Sequence, residues 1–271
     1  MGQAGEIAAG EHAGNVRVGH QIAAGIDHIG LPSLDAGVFQ AYDGSWTVPF
    51  QVSVPAAAAA GQRAVVEISR GDGSALSSYL LADPWKETDG RAYLQGNTVL
   101  PPGEYRLAVG LLDVRGESSW AAERPVMVPG GAPAFWLSEL ILGARLSPLG
   151  RPQDLLEPYT WMSVAVPPRG GGAFAQGETL WFYAHACNVG LDAAGRPALD
   201  TELELSGKLK FHGPVEMTPA RVNPGCWALA QSLDLPAATF APGTYRLAIV
   251  VTDRTTGQRL SSARAFEIRE P

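Results

Sequence analysis

The sequence is poor in charge and in cysteine. Only 17% of its 271 residues are charged, 20 Lys and Arg stand against 27 Asp and Glu, and two residues are cysteine. No cluster of Lys and Arg occurs, which argues against nucleic-acid binding and against a polybasic membrane anchor. Two cysteines are too few for a disulfide-dense scaffold or a four-cysteine zinc site. The composition therefore predicts neutral partners, with no nucleic acid among them.

Long apolar runs are also missing. No stretch reaches the roughly 18 apolar residues of a membrane-spanning helix, and residues 1–6 have neither the basic start nor the apolar run of a secretion signal. The chain as written is therefore predicted not to insert into a membrane. It fits a mature or C-terminal part of an exported protein.

Glycine and proline, by contrast, are abundant, with 32 and 21 residues, and they separate short apolar runs of strand length. A helical period of 3.6 residues is almost absent. This pattern is typical of β-sandwiches. The predicted strands are 46–54, 63–69, 91–100, 105–113 and 121–128 in a first series, and 135–142, 161–166, 178–189, 201–211, 226–235, 245–253 and 259–268 in a second.

The two series define the domain organisation. Residues 1–34 are rich in Gly and Ala and are predicted to be an arm, with at most a short strand at 16–18. The Pro and Gly cluster at 129–133 predicts a domain boundary. We therefore expect a first sandwich at 35–130 and a second at 131–271.

An internal repeat supports that division. The sequence Leu-Pro-Pro-Gly-Glu-Tyr-Arg-Leu-Ala-Val at 100–109 recurs as Phe-Ala-Pro-Gly-Thr-Tyr-Arg-Leu-Ala-Ile at 240–249. Two copies at domain spacing indicate two related domains. The predicted fold class is all-β, with two consecutive antiparallel immunoglobulin-like sandwiches after the arm.

The repeated motif has a structural interpretation. Gly103 and Gly243 permit the positive φ that reverses the chain before the strand begins. Tyr105 and Tyr245 lie where sandwich domains place a corner tyrosine, whose hydroxyl group bonds back to the backbone. All four residues are predicted to be structural.

Several motifs together resemble a known group of proteins. They are Pro-Gly-x-Tyr-Arg-Leu, the Asp-x-x-x-Gly hairpin after it, the segment Phe-Ala-Gln-Gly-Glu-Thr-Leu-Trp-Phe-Tyr at 174–183, and Asp-Ala-Ala-Gly-Arg-Pro at 192–197. Residues from about 35 to 271 resemble the C-terminal tandem β-sandwich region of bacterial exported proteins that carry von Willebrand factor type A or GWxTD domains. This chain has neither the D-x-S-x-S metal site nor the Gly-Trp-x-Thr-Asp segment. The resemblance implies fold and export, and it implies no activity of the type A domain.

Aromatic residues offer the main candidate binding surface. If residues 180, 182, 184 and 186 face the core, then Trp181, Tyr183 and His185 point to the other side of the strand. Exposed aromatic rows mark protein or glycan contacts. The alternative is that the connection at 143–158 or the other domain covers them. Trp85, in a predicted loop, is a second candidate.

The two cysteines, Cys187 and Cys226, are expected on neighbouring antiparallel strands, with the end of one beside the start of the other. A cross-strand disulfide is then geometrically allowed, and two inert thiols are the alternative. It would not be the inter-sheet bridge of antibodies.

Metal binding and catalysis find little support. His185 and Cys187 share a strand face, but no further His and Met follow to complete a copper site. His12, His20 and His28 recur every eight residues, which is about 26 Å of strand, and solvated loop residues are the simpler interpretation. No nucleophile elbow, phosphate loop or H-E-x-x-H motif occurs, so we expect no enzyme, no metal and no cofactor.

The function expected from the sequence is a non-catalytic structural or protein-interaction module of a bacterial envelope or exported protein, located in the periplasm or outside the cell. Its partner would be another protein or the rest of a larger polypeptide. A carbohydrate-binding module that uses the aromatic residues is the alternative, and a hydrolase with an unrecognised loop site is a third hypothesis.

Overall fold

The computed structural model describes residues 32–81, 85–88, 90–130, 134–151, 154–155, 157–161 and 164–271. The predicted arm strand at 16–18 and His12, His20 and His28 lie outside these residues.

The first sandwich contains nine strands and one short helix among the described residues. They are β1 (Ser33–Ala36), β2 (Phe39–Gln40), β3 (Trp46–Pro55), α1 (Ala56–Ala59), β4 (Arg63–Arg70), β5 (Ala75–Leu81), β6 (Lys86–Thr88), β7 (Arg91–Val99), β8 (Gly103–Leu112) and β9 (Ser118–Val128). One sheet has the order β1-β3-β7-β6, with β2 paired to β3, and the facing sheet has the order β5-β4-β8-β9.

The second sandwich follows the same plan and adds an insertion. Its strands are β10 (Trp136–Leu137), β11 (Ile141–Gly143), β12 (Ser147–Pro148), β13 (Thr160–Trp161), β14 (Val164–Ala165), β15 (Ala173–Ala175), β16 (Thr179–Cys187), β17 (Leu199–Ser206), β18 (Phe211–Pro214), β19 (Ala220–Asn223), β20 (Cys226–Asp234), β21 (Gly243–Asp253) and β22 (Arg259–Arg269), with a 3₁₀ turn at Gly170–Gly172. The two large sheets have the orders β10-β16-β20-β19, with β11 also on β16, and β15-β22-β21-β17-β18.

The all-β, immunoglobulin-like fold is confirmed by this topology, and each sandwich has its own apolar core. Val52, Val66 and Leu107 lie in the first core, and Phe182, Leu229 and Ile249 lie in the second. One detail departs from a purely antiparallel arrangement, because β15 runs parallel to β22.

Several strand boundaries differ from the sequence prediction. The strand expected at 201–211 is two strands, since the chain turns at Gly207, which has φ +139°. In place of the strand expected at 161–166, the structure has the two short strands β13 and β14, which pair with each other in a separate three-stranded sheet, β12-β14-β13, and not in the sandwich. Strand β5 was missed, because its alternation is obscured by two exposed leucines.

The repeated motif occupies the same place in both domains. Tyr105 on β8 pairs with Val126 on β9, and Tyr245 on β21 pairs with Phe266 on β22, so the shift of 140 residues also applies to the partner strand. The Tyr105 hydroxyl donates to the Pro101 carbonyl at 2.9 Å, and the Tyr245 hydroxyl donates to the Ala241 carbonyl at 2.7 Å. Both tyrosines therefore fix the corner that precedes their strand.

The insertion lies between β11 and β15, at 144–172. In the plan of the first domain no such segment exists, since β1 and β2 lead directly into β3. The insertion carries the small sheet and lies over the outer face of β16. The insertion therefore takes part in the contact between the two domains.

Candidate functional site at the domain junction

Strand β16 is buried on both faces. Its inner residues Leu180 and Phe182 are fully buried in the core of the second sandwich. On the opposite face Tyr183 is 1% exposed and His185 is 0% exposed. Tyr183 and His185 therefore do not form an exposed recognition surface, which corrects the first of the two expectations for this row.

Three aromatic side chains cover that outer face. Trp161, from the insertion, stacks on Tyr183 with ring centroids 4.6 Å apart and an interplanar angle of 17°. Phe39, from the first domain, lies 4.6 Å from the Trp161 ring and 5.3 Å from the His185 ring. Tyr159 lies 6.2 Å from Trp161.

The covered face forms a third apolar core, which we call the junction core. It contains one residue of the first domain, Phe39, together with residues of the insertion and the second domain: Ile141, Tyr159, Trp161, Val166, Tyr183, Cys187, Val222, Cys226 and Ala228. Burial of large aromatic side chains is a major contribution to packing energy, so the burial of Phe39 in this core stabilises the contact between the two sandwiches.

His185 is the unusual polar member of this environment. Its Nε2 atom lies 2.7 Å from the Tyr183 hydroxyl, while its buried Nδ1 atom has no hydrogen-bond partner. Burial lowers the pKa of His185 to about 3 and raises the pKa of Tyr183 well above its usual value. The imidazole is therefore neutral at physiological pH and acts as packing material.

The two tryptophans of the predicted binding surface are half-buried and lie apart. Trp181 lies on β16, two residues before Tyr183, and pairs with Gly143 on β11. Trp85 packs against the core of the first domain and donates its Nε1 hydrogen to the Gln62 carbonyl at 3.0 Å. The structure thus does not bring Trp85 together with Trp181, Tyr183 and His185.

Cys187 and Cys226 are joined in a disulfide. Cys187 ends β16 and Cys226 begins β20, where the two residues pair directly with Cα atoms 4.0 Å apart. Both are fully buried in the junction core. The bridge links neighbouring strands of one sheet, so it differs from the inter-sheet bridge of antibodies.

Polar contacts surround the junction core and also cross between the domains. The Val38 amide donates to Glu139 Oε2 at 2.7 Å, and the Tyr159 hydroxyl donates to the Asp35 carbonyl at 3.2 Å. Asn223 donates to the Ala41 carbonyl at 2.8 Å. Tyr159 has φ +55°, a strained value for a bulky residue that persists only where surrounding contacts impose it.

Two arginines at equivalent positions of the repeat contact the same strand, β1. Arg124 pairs with Leu107 across β9 and β8, and Arg264 pairs with Leu247 across β22 and β21, again with a shift of 140. Arg124 donates to the Leu34 carbonyl at 3.5 Å, and Arg264 forms an ion pair with buried Asp35. The repeat identified in the sequence ends at residues 109 and 249, so it did not include Arg124 and Arg264.

A small cavity of about 20 Å³ lies beside these groups, lined in part by Asp35, Glu139, Tyr159 and Arg264. This volume suits a single water molecule, and it is far below the 300–1,000 Å³ typical of ligand pockets. This cavity is therefore too small for a substrate.

The residues that could carry other chemistry do not converge. Among the described residues, no group of three His, Cys, Asp or Glu side chains is placed to hold a metal ion. Cys187 is in the disulfide, so the copper-like pair of His185 and Cys187 has no thiolate to offer a metal ion. None of the described residues forms a helix with the length and hydrophobicity that a membrane crossing requires.

Comparison with known proteins gives little further guidance. No family model matches the sequence, and no curated protein matches it. The fibronectin(III)-like modules of Clostridium thermocellum CbhA are similar over 89% of this chain and 94% of theirs, at 14% identity and a TM-score of 0.24. That similarity is too low to carry an argument, so the fold is assigned from the sheet topology itself.

Proposed function

We propose that this chain is a rigid, non-catalytic two-domain module that spaces or presents other parts of an extracytoplasmic protein. The observation that carries the proposal is the junction core. The aromatic face that a binding domain would expose is instead occupied by the neighbouring domain and the insertion. Inter-domain contacts within one chain allow motion unless they are large and apolar, and this one is aromatic at its centre.

The disulfide supports a location outside the cytoplasm. Disulfides persist in oxidising compartments such as the periplasm and the extracellular space, and they are rare in reducing cytosol. The Cys187–Cys226 bridge lies in the junction core, so it stabilises the sheet on which the first domain rests. Association with proteins that carry type A or GWxTD domains stays a prediction.

The partner in this proposal is another protein or the rest of a larger polypeptide. Glycan binding was the alternative, and it needed flat exposed rings. Two of its four residues, Tyr183 and His185, are buried, and the Trp85 indole hydrogen is already bonded to the backbone. The proposal therefore assigns recognition to the outer sheet faces and edges.

The rigid connection is tested by ¹⁵N relaxation measured on the backbone amides of both domains. We expect one rotational diffusion tensor to describe them all. Phe39→Ala, which removes the first domain's side chain from the junction core, is expected to give the two domains separate and shorter correlation times.

The matched control is Phe50→Ala. Phe50 is as buried as Phe39, at 0% exposure, but lies in the core of the first domain. It is expected to lower the stability of that domain and to leave the common tumbling unchanged. Independent tumbling of the two domains in the unmodified chain would overturn the proposal.

A further inference from the structure

The outer face of the sheet β1-β3-β7-β6 is polar, and part of it is buried. Side chains of three strands point away from the core of the first domain on this face, which we call the polar face. They include Ser33, Asp35, Gln51, Ser53, Arg91, Gln95 and Asn97. The first four, on β1 and β3, are buried. Because buried polar groups are normally hydrogen-bonded, this face has a partner within the chain.

The partner is the insertion, and the contacts are made to its main chain. The Gln51 side-chain amide donates to the Pro168 carbonyl at 3.0 Å, and the Asn97 side-chain amide donates to the Leu155 carbonyl at 2.7 Å. Gln95 donates to Gln51 Oε1 at 2.8 Å and so orients the Gln51 side chain. Since every residue type carries a main-chain carbonyl, these bonds recognise the path of the insertion and not its side chains.

The glycine turn at 170–172 comes closest to the buried part of this face. It contacts β1 and β3 of the first domain and β22 of the second. A Cβ atom added to Gly170 would lie 2.8 Å from both Cβ and Oγ of Ser53, which is closer than non-bonded carbon atoms pack. Ser53 is held in place, since it is 0% exposed and its Oγ atom accepts a hydrogen bond from Arg91 at 2.8 Å. A side chain at position 170 would therefore collide with the first domain.

The backbone of the turn does not itself require glycine at position 170. Gly171 and Gly172 have φ of +73° and +60°, in the left-handed region that favours glycine, whereas Gly170 has no positive φ. What excludes a side chain at position 170 is thus the neighbouring domain and not the conformation of the turn.

We propose that the polar face is a docking surface for the main chain of the insertion, and that Gly170 sets the orientation in which the first domain docks. Phe39 supplies the apolar part of the same contact. Apolar attraction is non-directional, whereas hydrogen bonds and a close backbone contact restrict the geometry. The inference rests on the proposed rigid module, and it names the contact that fixes the angle between the two domains.

The test uses residual dipolar couplings of the backbone amides, measured on the full chain in a weakly aligning medium. In the unmodified chain we expect one alignment tensor to fit both domains. Gly170→Ala is expected to require a separate tensor for each domain, because Ser53 has to move by roughly 1 Å before the new methyl group reaches an ordinary contact distance. The couplings within each domain are expected to fit that domain as before, which shows that both still fold.

A second substitution identifies the group that Gly170 must avoid. Ser53→Gly removes both atoms that the new methyl group would meet, so Gly170→Ala combined with Ser53→Gly is expected to return to a single tensor. Gly110→Ala is the matched control, at another glycine without a positive φ. The nearest neighbour of its added Cβ atom is the Trp120 carbonyl oxygen, at 4.0 Å, so one tensor is expected to persist.

The outcomes separate this inference from the proposed function. A single tensor in Gly170→Ala overturns the inference and leaves the rigid module intact. Separate tensors that Ser53→Gly does not merge also overturn it, since glycine is then needed only within the insertion. Separate tensors in the unmodified chain overturn the proposed function, on which the inference rests.

Discussion

Trp161→Ala is expected to lower the free energy of unfolding by about 3–5 kcal/mol, the usual cost of truncating a buried tryptophan. The side chain is 1% exposed, stacks on Tyr183 and contacts Phe39 from the other domain. Its removal leaves a cavity where three parts of the chain meet, and the strained backbone at Tyr159 next to it limits collapse of the site. Urea unfolding, followed by far-ultraviolet circular dichroism, measures the loss.

Trp85→Ala is the matched control for that prediction. It removes the same side chain from a half-buried position that lies within the first domain. Its expected cost is smaller because less apolar area is lost and the surface can relax. Equal costs for the two variants, or a cost below about 1 kcal/mol for Trp161→Ala, would contradict the central role of the junction core.

Acid is expected to destabilise the protein through His185. The unfolded chain gains a proton on this residue as the pH falls below its ordinary pKa of 6.5, whereas the folded chain does not until the pH reaches about 3. Between these values the unfolded state binds more protons, so stability falls as the pH falls. At 1.36 kcal/mol per pH unit, the loss from this group between neutral pH and pH 4.5 is about 3 kcal/mol.

The contribution of His185 is isolated by His185→Gln, compared with the unmodified chain at both pH values. Other titrating groups are common to the two proteins and cancel in the difference. We expect the variant to lose about 3 kcal/mol less on acidification. An unchanged acid loss in His185→Gln would show that this ring is not buried in neutral form.

The parts of the structure that were predictable from the sequence are those fixed by local pattern. The alternation of Leu180, Phe182 and Ala184 placed β16 in a sandwich core, and the Pro-Gly-x-Tyr motif located a reversal, a strand and a corner tyrosine. The structure also places Cys187 beside Cys226, because register between neighbouring strands follows from the alternating pattern and the turn positions.

Cover of the outer face of β16 by the other domain was one of the two alternatives that the sequence offered, but the residues that meet in the junction were not predictable in the same way. Phe39, Trp161 and Tyr183 are far apart in sequence, and no local period records that they meet. The sequence at 143–158 was interpreted as a connecting segment. Residues 161–166, which contribute to the small sheet of the insertion, were predicted to be a sandwich strand. The one sequence signal at the junction is the repeat shift of 140, which relates Arg124 to Arg264.

The most direct test of the account is differential scanning calorimetry of the intact chain. If the junction core makes the two sandwiches one cooperative unit, a single transition is expected, with calorimetric and van 't Hoff enthalpies that agree. Two separable transitions would contradict it, in particular if Trp161→Ala shifts the melting temperature of one of them and leaves the other unchanged.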